Sequence, residues 1–226
     1  MRAMILAAGL GTRMRPLTAH TPKPLLAVGG QPLIAYHLHA LARAGITELV
    51  INTAWLGEQI ETALGDGAAY GVRITYSREG EPLETAGGIR RALPLLGEAP
   101  FMVINGDIWT DLDPGAVPAL VSGAEAQLVL VDNPAQHPDG DFWLAQDGLV
   151  HDMRPETPAR RLTFAGIGIY APALFARCPD EARLAPLLRA AMHEGRVGGC
   201  YHPGRWYDIG TPARLAALDQ QLKELP

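Results

Sequence analysis

The sequence predicts an α/β fold: a mostly parallel sheet with helices on both faces. Three observations carry this expectation. Short apolar runs alternate with helical patterns through the first half of the chain, the arrangement that parallel strands and their crossover helices require. The first apolar run, Met4–Ala8, opens directly into the glycine-rich stretch Gly9–Thr18, as a buried strand does where a ligand meets its carboxyl end. The chain has 226 residues, 48% of them apolar, which suffices for a substantial core.

In chain order, the expected strands of the first half are Met4–Ala8, Glu48–Asn52, Arg73–Ser77, Phe101–Asn105 and Ala126–Val131. Helices are expected at Leu33–Ala44, Leu56–Leu64, Thr85–Leu93 and Pro114–Ser122. The first of these follows Pro32, a favoured first-turn residue, and stops before Gly45. The second half is less regular. Phe142–Gln146, Leu149–Met153 and Leu162–Tyr170 read as strands, with Asp147-Gly148 as a hairpin turn. Helices follow at Leu184–Glu194 and Thr211–Leu225. No linker, repeat or low-complexity tract divides the chain, so one domain over residues 1–226 is expected.

Composition excludes several roles. A net charge of -5 argues against a nucleic-acid binder, which carries a basic face. Neither a signal-peptide pattern nor a run of membrane-spanning length is present, and the cytoplasm is the expected compartment. Cys178 and Cys200 are too few for a zinc site or a disulfide scaffold. His37 and His39, two apart on a helix, face different ways and cannot form a metal pair. The remaining histidines, His137 among them, show no ligand spacing.

The chemistry is written at the ends of the strands. Gly9 and Gly11 allow backbone N–H groups to approach a polyanion, while Thr12, Arg13, Arg15 and Lys23 supply hydrogen bonds and charge. Of 19 basic residues only Lys23 and Lys223 are lysines. A compact ammonium between Pro22 and Pro24, just past such a loop, suits a single phosphate oxygen better than an arginine fork does. The loop is neither a dinucleotide fingerprint, because Pro16 follows where a third glycine and a helix belong, nor a Walker loop. After the third strand, the N-terminal end of the helix near Thr85 can face a base or a phosphate. Glu79 or Glu84 can accept the ring N–H of uracil, thymine or guanine. The same residues also suit an ordinary capping turn. After the fourth strand, Asn105-Gly106-Asp107 offers a carboxylate for Mg²⁺. Asp208, far along the chain, offers a second, or else caps the helix at Thr211.

These motifs together resemble the sugar-1-phosphate nucleotidyltransferase family. The strand, Gly9-x-Gly11-Thr12-Arg13-Met14-x-Pro16-Leu17-Thr18 and Pro22-Lys23-Pro24 match its signature. Pro82–Gly87, Asn105-Gly106-Asp107, Gly166-Ile167 and Trp206–Thr211 follow in the family's order. The resemblance implies a Rossmann-like three-layer α/β/α fold with a mixed, mostly parallel sheet. It implies a nucleotide half over residues 1–110 and a sugar half over 111–226, with no C-terminal β-helix. In the implied reaction the phosphate of a sugar 1-phosphate attacks the α-phosphorus of a nucleoside triphosphate and releases pyrophosphate.

Residue by residue, the resemblance gives the triphosphate to Ala8, Gly9, Gly11, Thr12, Arg13 and Lys23, and the base to Glu79 and Thr85. Arg13 and Lys23 are the implied catalytic groups, Asp107 and Asp208 the Mg²⁺ ligands, and Asn105, Asp141 and Gly166 the sugar contacts. Within the family, Gly80–Thr85, Val131–Pro134 and Gly140–Phe142 resemble the branch that joins UTP to N-acetylmuramic acid 1-phosphate in peptidoglycan recycling. Arg154 and Arg205 are then candidates for the lactyl group. Guanylyl or thymidylyl transfer to mannose, heptose or glucose 1-phosphate, and a non-catalytic nucleotide-sugar sensor, are the alternatives. The sequence departs from the family at Met153-Arg154-Pro155-Glu156, where relatives carry a sugar-phosphate lysine. Either Arg154 replaces that lysine, or Lys23 and the metal bind the phosphate alone.

Overall fold

Alternating side chains build three layers. Along β1 (Ala3–Leu6), Met4 packs beneath one face of the central sheet, while Ala3 and Ile5 pack beneath the other. This is the two-residue period of a strand buried on both faces. The computed structural model describes residues 1–176 and 178–224. After β1 come three 3-10 turns and a small hairpin of β2 (Ala27–Val28) and β3 (Gln31–Pro32). The alternating part follows: α1 (Leu33–Arg43), β4 (Glu48–Thr53), α2 (Gly57–Leu64), β5 (Arg73–Arg78), α3 (Glu84–Leu96) and β6 (Phe101–Asn105). The remainder comprises β7 (Ile108–Thr110), β8 (Ala126–Val131), β9 (Phe142–Ala145), β10 (Val150–His151) and β11 (Ala159–Tyr170). It ends with α4 (Leu184–His193), β12 (Val197–Tyr201), β13 (Trp206–Asp208) and α5 (Pro212–Lys223).

Strands β5, β4, β1 and β6 lie parallel in that order. Antiparallel to β6 runs β11, which carries β8 on its other edge, and β12 lies parallel to β8. The first residues of β11, Ala159–Leu162, pair instead with β9. On one face α3 and α4 cover Met4, Val50, Val103 and Leu128; on the other α1 and α2 cover Ile5, Ile51, Ile104 and Val129. A third cluster joins Leu215 and Leu218 of α5 to Met14, Val28, Leu33 and Trp109. The mixed, mostly parallel three-layer architecture is the one expected. Its parallel strands deliver the loops after β1, β4, β5 and β6 to one edge.

The structure corrects several boundaries. The helix expected over Pro114–Ser122 is a single 3-10 turn, Pro114–Ala116. Pro118 lacks an N–H and holds Val117 extended, at φ -70 and ψ 122. The helix expected at Thr85–Leu93 instead spans Glu84–Leu96, passing Pro94 in its last turn to bury Leu96. The strand expected at Leu149–Met153 shrinks to Val150–His151. Strands β7, β12 and β13 were not expected; Val197–Tyr201 contains two glycines and so reads poorly as a strand. The expected end of the last helix, Leu225, lies outside the described residues.

Candidate active site

The loop after β1 is shaped by contacts that leave its backbone toward a cleft. Gly11 sits at φ +62, and a Cβ there would meet Thr18 Cγ2 at 2.9 Å. Thr18 is buried, and its Oγ1 donates to the Gly11 carbonyl at 2.6 Å. Met14, 1% exposed, anchors the following 3-10 turn in the third apolar cluster. Gly9 differs: a Cβ there would meet nothing within 4 Å. Protein packing does not demand that glycine, whereas a ligand against the backbone would.

Asn52, at the end of β4, ties the neighbouring loops together. Its Oδ1 accepts the Ala7 N–H at 2.8 Å, and its Nδ2 donates to Glu79 Oε1 at 2.6 Å. The other Glu79 oxygen accepts the Leu83 N–H at 3.0 Å. Glu79 is thus engaged at both oxygens and braces the turn before α3. Glu84, opening that helix, lies at φ +59, in the left-handed region where a non-glycine residue is strained.

A cleft of about 420 Å³ results, lined by Ala8, Gly9, Gly11, Thr12, Arg13, Lys23, Glu79, Glu84, Thr85, Asn105 and Asp107. A second cavity of about 280 Å³ adjoins it, and Arg13, Asn105 and Asp107 line both. Gly166, His137, Thr163, Trp206 and Asp208 are among the other residues that line the second. Asn105 is seated by Gly166, which lies at φ +72 in the bulge of β11; a Cβ there would stand 2.6 Å from Asn105 Nδ2.

Lys23, 8% exposed, pairs its Nζ with Asp107 Oδ2 at 2.7 Å. Lys223, by contrast, forms an exposed i,i+4 pair with Asp219. Asp208 reaches the site through an antiparallel ladder of β13 on β7, in which Asp208 faces Ile108 and the Ile209 N–H bonds the Asp107 carbonyl. Its Oδ2 accepts from Arg214 at 2.5 Å. Thr211, not Asp208, caps α5 through its Oγ1. Behind β7, His37 Nε2 meets the Ile108 carbonyl at 2.8 Å, and burial pushes its pKa down to about 4. The ring is therefore neutral and donates that bond.

No group of three or more His, Cys, Asp or Glu residues that would hold a metal occurs among the described residues. Two carboxylates on one cavity, with remaining ligands from phosphate and water, are nevertheless a magnesium-type oxygen set. Neither Asp107 nor Asp208 has a protein partner on its Oδ1 among the described residues, so each retains a donor oxygen.

The nucleotidyl transferase family matches residues 2–224 of this chain. The chain belongs to that family. It is 56% identical over 223 residues to N-acetylmuramate alpha-1-phosphate uridylyltransferase of Neisseria meningitidis, covering 95% of each chain. To the protein of the same name in Caulobacter vibrioides it is 37% identical, covering 98% of this chain and 97% of that one. Among solved structures, a putative glucose-1-phosphate thymidylyltransferase from Bacillus anthracis superposes with a TM-score of 0.82. It covers 100% of this chain and 96% of that one at 23% identity, a likeness of fold.

As a nucleotidyl transferase, the chain brings together nearly every residue singled out in its sequence. Arg15 and Asp141 line neither cavity; Asp141 instead holds His137 Nε2 at 3.0 Å and accepts the Phe164 N–H at 2.9 Å. Arg154 lies over the Trp143 ring at 5.4 Å, and Arg205 over Trp109 at 5.3 Å while paired with Asp111. Neither lines a cavity, and Lys23 is the lysine that does. Sequence reasoning overlooked Asn52, Thr18, Arg214 and His137. Thr18 alone had a local signal, as the last residue of the glycine-rich stretch.

Proposed function

We propose that this chain joins UTP and N-acetylmuramic acid 1-phosphate to give UDP-N-acetylmuramic acid and pyrophosphate, with Mg²⁺, in peptidoglycan recycling. The observation that carries the reading is two adjoining cavities that share Arg13, Asn105 and Asp107. Two phosphorylated substrates can meet there end to end. The similarity to the two N-acetylmuramate alpha-1-phosphate uridylyltransferases supports the choice of base and sugar.

The triphosphate lies along Gly9–Thr12, with its base toward Glu79–Thr85. An oxygen of the sugar phosphate attacks the α-phosphorus; one P–O bond forms there as the bond to the β-phosphate bridging oxygen breaks. The nucleophile is already an anion, so no base is needed, and the protein's contribution is positioning and charge stabilisation. Lys23 neutralises the α-phosphate and sugar phosphate, and Arg13 the departing pyrophosphate. Bound between Asp107 and Asp208, the metal would supply Lewis-acid stabilisation of the phosphoryl oxygens.

Pyrophosphate release tests this. UTP, GTP, dTTP and CTP are crossed with the 1-phosphates of N-acetylmuramic acid, N-acetylglucosamine, glucose, mannose and heptose. A maximum at UTP with the muramic sugar is expected; a maximum elsewhere rejects the substrate assignment. Asp208→Ala is expected to retain nucleotide binding and lose turnover. Unchanged turnover in that variant removes Asp208 from the metal site.

A further inference from the structure

The loop between β8 and β9 is built to present one side chain. Asn133 Nδ2 donates to the carbonyls of Pro138 (3.1 Å) and Arg161 (3.2 Å), and its Oδ1 accepts from Thr163 Oγ1 at 2.9 Å. Gly140, at φ +63, makes room for it, since a Cβ there would stand 2.5 Å from Asn133 Oδ1. The His137 N–H closes a turn on the Pro134 carbonyl at 2.8 Å. Asp141 then fixes the ring by one oxygen and the start of the β11 bulge by the other.

His137 lines the second cavity, and its company there is informative. The charged residues Arg13, Asp107 and Asp208 stand at the end shared with, or next to, the triphosphate cleft. The other side chains lining the wall are uncharged, Gln136, Thr163, Phe164 and Trp206 among them, and the Trp206 Nε1 is already spent on the Ala165 carbonyl. On that wall His137 is the one side chain able to carry positive charge. A muramic sugar differs from N-acetylglucosamine by an ether-linked carboxylate. Enclosing that carboxylate without a cationic or donor partner is costly, so preferring it over the unsubstituted sugar requires such a partner.

We propose that His137, oriented by Asp141, is the specificity-determining residue that reads the acidic substituent of the sugar 1-phosphate. The inference rests on the muramic substrate assigned above. Nε2 is held by Asp141, while Nδ1 has no partner among the described residues and, in the imidazolium, donates to the incoming carboxylate. Asp141 is a positioning residue: it acts through the ring and touches no substrate.

The test compares kcat/KM for N-acetylmuramic acid 1-phosphate and N-acetylglucosamine 1-phosphate at saturating UTP. His137→Gln is expected to lower the ratio of the two roughly 10- to 100-fold, the scale of a charge-assisted hydrogen bond. The loss should appear mainly in KM for the muramic substrate. Asp141→Asn should move the ratio the same way, and His137→Arg, which keeps a cationic donor, should retain much of the preference. A wild-type preference that survives His137→Gln overturns this inference and leaves the proposed function standing. A parallel fall for both sugars likewise overturns it, since that marks a structural role. A wild-type enzyme with no preference for the muramic sugar overturns both.

Discussion

Gly166→Ala probes the junction of the two cavities, and its cost follows from two separable causes. An alanine at φ +72 bears a left-handed backbone penalty of about 1–2 kcal/mol. The new Cβ would also stand 2.6 Å from Asn105 Nδ2 and 2.8 Å from its Cγ. To reach an ordinary contact, Asn105 must retreat by nearly 1 Å, and overpacking of that kind costs about 1–3 kcal/mol. Together these give about 2–5 kcal/mol, or a melting point lower by roughly 4–20 °C for a chain of this size. A displacement near 1 Å at a positioning residue lowers kcat/KM by about 100-fold. The companion variant Gly148→Ala isolates the first cause: φ is +83, but nothing lies within 4 Å and the site is remote. It should lose about 1–2 kcal/mol and keep its turnover. Melting curves and pyrophosphate-release kinetics on both variants decide the matter. Normal turnover in a folded Gly166→Ala protein would falsify the claim that Asn105 must occupy its present place.

Three further outcomes are expected. Lys23→Met should lower kcat/KM by about 100- to 1000-fold, and Lys23→Arg should not rescue it, because a planar fork cannot replace the ammonium against Asp107; single-turnover assays check this. Asn52→Ala should destabilise the fold by about 2–4 kcal/mol, because it strands the Ala7 N–H and a Glu79 oxygen. The KM for UTP should rise with it, as urea melts and kinetics will show. His37 is neutral when folded and has its pKa lowered from 6.5 to about 4, chiefly by burial, so the unfolded chain binds the extra proton between those values. Its stabilisation is complete above about pH 6.5 and is lost as pH falls through about 4, about 3 kcal/mol in all. Urea unfolding at pH 7, 5.5 and 4.5 should show a shallower loss in His37→Gln, which keeps a donor for the Ile108 carbonyl.

The parts legible in the sequence were those set by local pattern. Phe101–Asn105 and Ala126–Val131 are strands at the expected limits, because each is an apolar run too short for a helix. The glycine-rich loop, Lys23 and Asp107 announced themselves through residue type and neighbours. Asn52 did not: its role lies in a bond to Ala7, 45 residues earlier, and another to Glu79, 27 later. The placing of His137 on the cavity, where Asp141 was expected, was hidden for a similar reason. Their spacing of four places them together, but only the bulge in β11 decides which of them faces the cavity. Pro118 was the opposite case, a local signal that the apolar pattern around it obscured.

The short ladder of β13 on β7 also bears on how the protein is made. Asp107 leaves the ribosome early, along with the loop and Lys23, whereas Asp208 sits about a hundred residues later, close to the last helix. A nascent chain can therefore form the strands that cradle a nucleotide well before it owns a second carboxylate. Three paired residues, Trp206–Asp208 on Ile108–Thr110, then bring that carboxylate home and fasten it under α5. A chain interrupted ahead of Trp206 would hold Asp107 without the carboxylate of Asp208, so under the metal site proposed above it should bind nucleotide without turning it over.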